Sequence, residues 1–211
     1  MVACNSAASV AFEDLVSRVA RRCSRGRAGR QLARANDQVG AVIGVIATVA
    51  TVRSGAYQHE VEATAEAQGR SVQLTCAACP GLVEFVEKGE TTGDQVTVLT
   101  ERLLAPVRDA GVDTLLLGCT HYPFLARVIG DVMGPEVVLV SSADETAFAV
   151  AAELERLGIL RPSGSGRPGE HRFLSSGDVS TFVELGSRLL GPELAAAHSW
   201  APDTVDLPAR P

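Results

Sequence analysis

The chain predicts an α/β protein with a largely parallel sheet, and three observations carry that expectation. From residue 91 onward, short apolar runs alternate with stripes of helical period. Residues 112–117 are almost continuously apolar, the pattern of a strand covered on both faces of a parallel sheet. Gly111, Pro123 and Gly134 fall at the junctions, where chain direction must change.

Taken in order, residues 39–45 read as a glycine-containing apolar strand ahead of Thr48, Thr51 and Ser54. Residues 94–110 carry Val96, Leu99, Leu103 and Val107 at helical spacing, with Gly111 placed to stop the helix. Strand 112–117 follows. Pro123 suits the first turn of a helix reaching Met133, and 137–140 is a further strand. Ser142-Ala143-Asp144-Glu145 has the pattern of a capping box and opens a helix ending near Gly158. Residues 161–170 are rich in Pro, Gly and Ser and read as an exposed linker. Residues 173–178 suggest a strand and turn, 179–190 a helix, and 201–211 a disordered tail.

With 211 residues, 46% of them hydrophobic and 21% charged, the chain is long and apolar enough to bury an ordinary core. Nineteen basic residues against 25 acidic ones give a net charge of −6, which argues against a nucleic-acid binder. No run approaches the roughly 20 apolar residues of a membrane span, and the N-terminus does not read as a signal peptide. Lys88 is the only lysine; the many arginines and alanines suggest a GC-rich gene. Seven arginines and no acid lie between Arg18 and Arg34, a solvated face or a contact for an anionic partner. The five cysteines are an odd number without framework spacing, so reduced thiols in the cytoplasm are expected.

Two segments have the same local grammar. Val2-Ala3-Cys4-Asn5-Ser6 and 115–123 each run an apolar stretch into a small residue, a cysteine, two hydrogen-bonding side chains and a helical pattern. At a strand-to-helix junction, backbone N–H groups and the helix dipole favour thiolate. Two facing thiols in opposite protonation states would remove a proton from one side of a carbon and return it to the other. Asn5, Ser6, Thr48 and Thr120 are short donors suited to carboxylate and ammonium groups, and His121 stands ready to tune Cys119. Each residue taken singly has an ordinary rival: a packed core thiol, a helix cap or a surface histidine. Cys76-Ala77-Ala78-Cys79-Pro80 is a C-x-x-C pair, but without a second pair or a βαβ opening it reads as a structural strand end.

Leu117-Gly118-Cys119-Thr120-His121-Tyr122-Pro123-Phe124-Leu125 closely resembles the second cysteine motif of glutamate racemases, and Ala3-Cys4-Asn5-Ser6-Ala7 the first. Residues 44–57, 78–89, 141–147 and 176–178 resemble further family segments, with Ala47 where the family has glycine. The resemblance implies two similar α/β domains around an active-site cleft, residues 1–38 with 143–211 and residues 39–142. It implies cofactor-independent interconversion of L- and D-glutamate for peptidoglycan, with Cys4, Cys119 and His121 catalytic. Asn5, Ser6, Thr48, Thr120 and His121 would bind substrate, with Glu87 supporting, in a cytoplasmic homodimer that needs no metal. Family members begin well before their first cysteine, with an Asp-Ser strand that nothing before Cys4 matches, and residues 13–41 also depart from the family. The chain is therefore expected to lack the family's N-terminal part and to carry a local frameshift in 13–41. The alternative readings are an inactive remnant, a non-catalytic binding protein, or an aspartate-type racemase of the same superfamily.

Overall fold

The computed structural model describes Cys4 and residues 42–69, 71–161, 169 and 171–201. Two compact units divide at residue 160. The expected partition into 39–142 and 1–38 with 143–211 turns in part on residues outside the described set.

In the first unit, four parallel strands stand in the order β2-β1-β3-β4: β1 is Val42–Ala47, β2 Gln73–Ala78, β3 Thr114–Leu117 and β4 Val138–Ser141. The apolar run expected over 112–117 is β3, with all four residues buried. Period-two alternation sends Ile43, Val45, Ala47 and Leu116 into one cluster with Tyr57 and Val61. Tyr57, Val61 and Ala65 lie four apart along α2 (Ala56–Gln68), the helix that buries them. Its sequence is alanine- and glutamate-rich, so little hydrophobic periodicity marks it. A five-residue helix α1 (Val49–Arg53) leads into it.

Helix α4 (Asp94–Asp109) buries Val96, Thr100, Leu104 and Val107 and packs against β1, β2 and α5 (Ala126–Met133). Leu104 and Leu115 are fully buried, and each such side chain contributes about 1.5–3 kcal/mol by leaving water. Helix α3 (Leu82–Lys88) follows β2 through Pro80 and Gly81.

Two boundaries differ from expectation. The helix starting at Pro123 opens as a 3-10 turn, Tyr122–Leu125, and becomes α-helical only at Ala126, because Leu125 (φ −103°, ψ 8°) breaks the spiral. The cap of α6 (Ser142–Arg156) is Ser141, not Ser142. Ser141 still pairs with Leu117 in the sheet, is extended, and accepts the Asp144 N–H at 3.3 Å, while Ser142 is buried.

In the second unit, β5 (Leu174–Ser175) pairs in parallel with β6 (His198–Ser199), and α7 spans Val179–Leu190 as expected. Asp178 caps α7, accepting from Thr181 N–H at 2.7 Å and the Ser180 hydroxyl at 2.6 Å. Hydrogen bonds, first that of Ser180, pull its carboxyl down to about 2. Leu194 lies directly over Gly186, where a Cβ would meet it at 2.5 Å.

Candidate active site

Because β1, β2 and β3 are parallel neighbours, their carboxyl ends lie along one edge of the sheet, the place where open α/β sheets bind ligands. Thr48 follows β1, Cys79 follows β2, and Gly118-Cys119 follows β3. The ladder continues past the strands: Cys79 N–H donates to Ala47 O at 2.9 Å and Gly118 N–H to Ile46 O at 2.8 Å. Gly118 is obligatory here, since a Cβ would stand 2.9 Å from Ile46 O and 3.1 Å from the Tyr57 ring.

After Gly118 the chain turns sharply into the 3-10 turn, and Cys119 sits inside the bend, 7% exposed. Burial pushes its thiol above the ordinary value. The backbone N–H of His121 pulls the other way, and a negative charge on Cys4 pushes up again. The N–H groups of Tyr122 and Thr120 add smaller pulls toward thiolate. Local backbone N–H groups thus work against the burial of this thiol. Cys4 itself is exposed.

His121 connects this thiol to a carboxylate. Its Nδ1 is 3.9 Å from the Cys119 Sγ, and its Nε2 is 3.3 Å from Glu87 Oε1. Glu87 reaches it because α3 packs against the 3-10 turn. A carboxylate accepting from Nε2–H leaves Nδ1 of the neutral ring as an acceptor for the S–H. Both partners are partly exposed, His121 at 26% and Glu87 at 46% of their side chains, so the contact is screened and serves to orient the ring.

Thr48 is the N-cap of α1, its hydroxyl 3.0 Å from that of Thr51 and 3.4 Å from the Thr51 N–H. Thr120 is half-buried beside Cys119. Thr48, Glu87, Cys119, Thr120 and His121 thus gather at one end of the sheet, while Asn5 and Ser6 lie outside the described residues. Sequence reasoning assigned no role to Tyr122. Its hydroxyl donates to Cys79 O at 3.0 Å, and it is fully buried. The residue was visible inside the motif, but its partner is 43 positions away. The C-x-x-C thiols are strand-end side chains: burial pushes Cys76 up to about 11 and Cys79 up to about 12. Among the described residues, no cluster of His, Cys, Asp and Glu is arranged to hold a metal ion.

A buried thiol at a sheet's carboxyl edge, with a histidine nitrogen 3.9 Å from its sulfur, is a setting in which proton-transfer chemistry can be carried out. The chain belongs to the Asp/Glu/hydantoin racemase family, whose model matches residues 1–150. The relatives it matches over most of its length are glutamate racemases. That of Parafrankia sp. (strain EAN1pec) is 43% identical over 208 residues, covering 93% of this chain and 69% of the relative. Among solved structures, the glutamate racemase isoform RacE1 of Bacillus anthracis is 32% identical with a TM-score of 0.80, covering 99% of this chain and 74% of that one. The Thermus thermophilus glutamate racemase in complex with β-chloro-D-alanine is also 32% identical, with a TM-score of 0.75, covering 96% of this chain and 72% of that one.

Proposed function

We propose that this chain interconverts L- and D-glutamate by proton transfer between two thiols, supplying D-glutamate for peptidoglycan. The observation that carries the reading is the Cys119 thiol at the carboxyl edge of the sheet, with His121 Nδ1 at 3.9 Å from its sulfur and Glu87 at 3.3 Å from the other ring nitrogen. The relatives named above are glutamate racemases, and the Thermus enzyme was solved with a D-amino-acid analogue.

In this reading a thiolate on one cysteine takes the α-proton, and the thiol of the other delivers a proton to the opposite face. Two thiols near one another disfavour both being charged at once, which suits one acting as acid and the other as base. When Cys119 gives its proton to the substrate carbanion, the neighbouring backbone N–H groups favour the thiolate left behind, and the His121 ring, oriented by Glu87, lies against the sulfur through Nδ1. Thr48 and Thr120, with Asn5 and Ser6, supply donors to the substrate carboxylate and ammonium groups. Both proton transfers use protein thiols, so the reaction calls for no cofactor. Cytoplasmic location and assembly as a homodimer belong to the same reading. No helix among the described residues is long and apolar enough to cross a membrane, which fits it.

The test follows the circular dichroism of L- and of D-glutamate separately, in D2O, with incorporation of deuterium at the α-carbon. Turnover in both directions is expected, and it disappears in Cys4→Ser and in Cys119→Ser. Folded protein that leaves both enantiomers unchanged, or full turnover in Cys119→Ser, overturns the proposal.

A further inference from the structure

The turn that carries Cys119 is tied to the sheet at both ends. At its start, Gly118 N–H donates to Ile46 O at 2.8 Å, and the Tyr57 ring closes over Gly118. At its end, the Tyr122 side chain runs back through the core, fully buried, and donates its hydroxyl to Cys79 O at 3.0 Å. Cys79 is itself held to Ala47 through its N–H at 2.9 Å. Both ends of the turn therefore lead to consecutive residues of β1, Ile46 directly and Ala47 through Tyr122 and Cys79. Between these two ties lie Cys119, Thr120 and His121.

We propose that the Tyr122 hydroxyl is the positioning group of the Cys119 turn, fixing the backbone of residues 119–122, and with it the approach of His121 Nδ1 to the sulfur, by anchoring the turn to the end of β2. A tyrosine that merely filled the core would need no hydroxyl, and phenylalanine would serve. The hydroxyl is aimed at a main-chain carbonyl, so the link is blind to the side chain at position 79 and sets backbone position alone. The Tyr122 N–H also donates to Cys119 O at 3.2 Å, so movement of residue 122 is felt at the thiol without any intermediary. Once the anchor is cut, the turn loosens, and the backbone N–H groups and the His121 ring beside the sulfur support a thiolate less well.

The inference rests on the proposed role of Cys119 but is read independently of turnover. The alkylation of Cys119 by iodoacetamide is followed by peptide mass from about pH 6 to about pH 10, since only the thiolate reacts. In Tyr122→Phe the apparent thiol pKa is expected to move up by about half to one unit, which slows alkylation at neutral pH by about threefold to tenfold. Racemisation should lose kcat with KM little changed. Thr100→Val is the control, removing another buried hydroxyl that donates to a carbonyl, Val96 O at 2.7 Å, within α4. It should leave the Cys119 profile in place. An unchanged profile in folded Tyr122→Phe, or an equal shift in Thr100→Val, overturns the proposal. If Tyr122→Phe does not fold, hydrogen exchange of the unaltered protein decides. The His121 and Tyr122 amides should exchange as slowly as that of Cys79, and exchange at open-loop rates overturns the anchor. A moved profile in a chain that does not racemise would sink the racemase reading and leave the anchor standing; turnover with an unmoved profile would do the reverse.

Discussion

Cys79 and Cys119 each follow the last residues of a parallel strand, on either side of β1, and both are buried. Their surroundings differ. Cys79 is followed by Pro80, which has no N–H, and its thiol donates to the Ala77 carbonyl at 3.8 Å. Burial acts alone there and pushes the thiol up to about 12. Cys119 is followed by three residues with amides to offer, and those amides oppose the same burial. Burial raises both thiols, and the residues that follow each strand end decide whether anything opposes it.

The comparison breaks most sharply on activity. Cys119→Ser is expected to lower racemisation by about a thousandfold or more, since it removes one of two proton-transfer groups, whereas Cys79→Ala stays within about threefold of the parent. Equal losses in the two variants would show that the amides confer nothing.

The next effect is on stability at high pH. Cys76 and Cys79 have folded values raised from an ordinary 9.0 to about 11 and about 12, so the folded state holds their protons more tightly than the unfolded chain does. That contribution is fully present below about pH 9 and is lost as pH rises toward about 11 and 12, on the order of a few kcal/mol in total. Urea unfolding between these pH values should show the decline, and Cys79→Ala should flatten much of it. A decline as steep in Cys79→Ala as in the parent would place its cause elsewhere.

Gly118→Ala probes the turn's foundation. Its Cβ would press on Ile46 O, and a cost of about 1–3 kcal/mol in thermal or urea unfolding is expected, together with reduced turnover. Smallest are the changes beyond the thiol. His121→Asn should cost about tenfold or more in kcat, and Glu87→Gln about threefold, because the half-exposed carboxylate orients the ring rather than reacting. A larger loss from Glu87→Gln than from His121→Asn would reverse that order of roles.

What the sequence disclosed follows from the range of the physics involved. β3 was legible because four consecutive buried residues leave an unbroken apolar run, and α4 because Val96 and Val107 mark a stripe on one face. The Cys119 turn was legible as a motif, since Gly118, Thr120 and His121 adjoin the thiol. Helix α2 was not, because alanine and glutamate fill most of its length and only Tyr57, Val61 and Ala65 face inward. The shift of the α6 cap by one residue depended on how far β4 pairs with β3, which no local pattern states. The anchor from Tyr122 to Cys79 and the pressure of Ile46 O on Gly118 join residues dozens of positions apart, and both were invisible until the strands were aligned.

The parallel pairing of β1 with β3 has a consequence for how the molecule comes into being. Asp113 takes the Val42 N–H 71 positions away at one end of that pair, and Gly118 meets Ile46 at the other. The ties that hold the thiol's turn to the sheet are thus long-range closures, and such closures are slow to form. On a growing chain, β1 must wait unpaired on its β3 side until residues 114–118 have been made, so the carboxyl end of the sheet cannot become native before then.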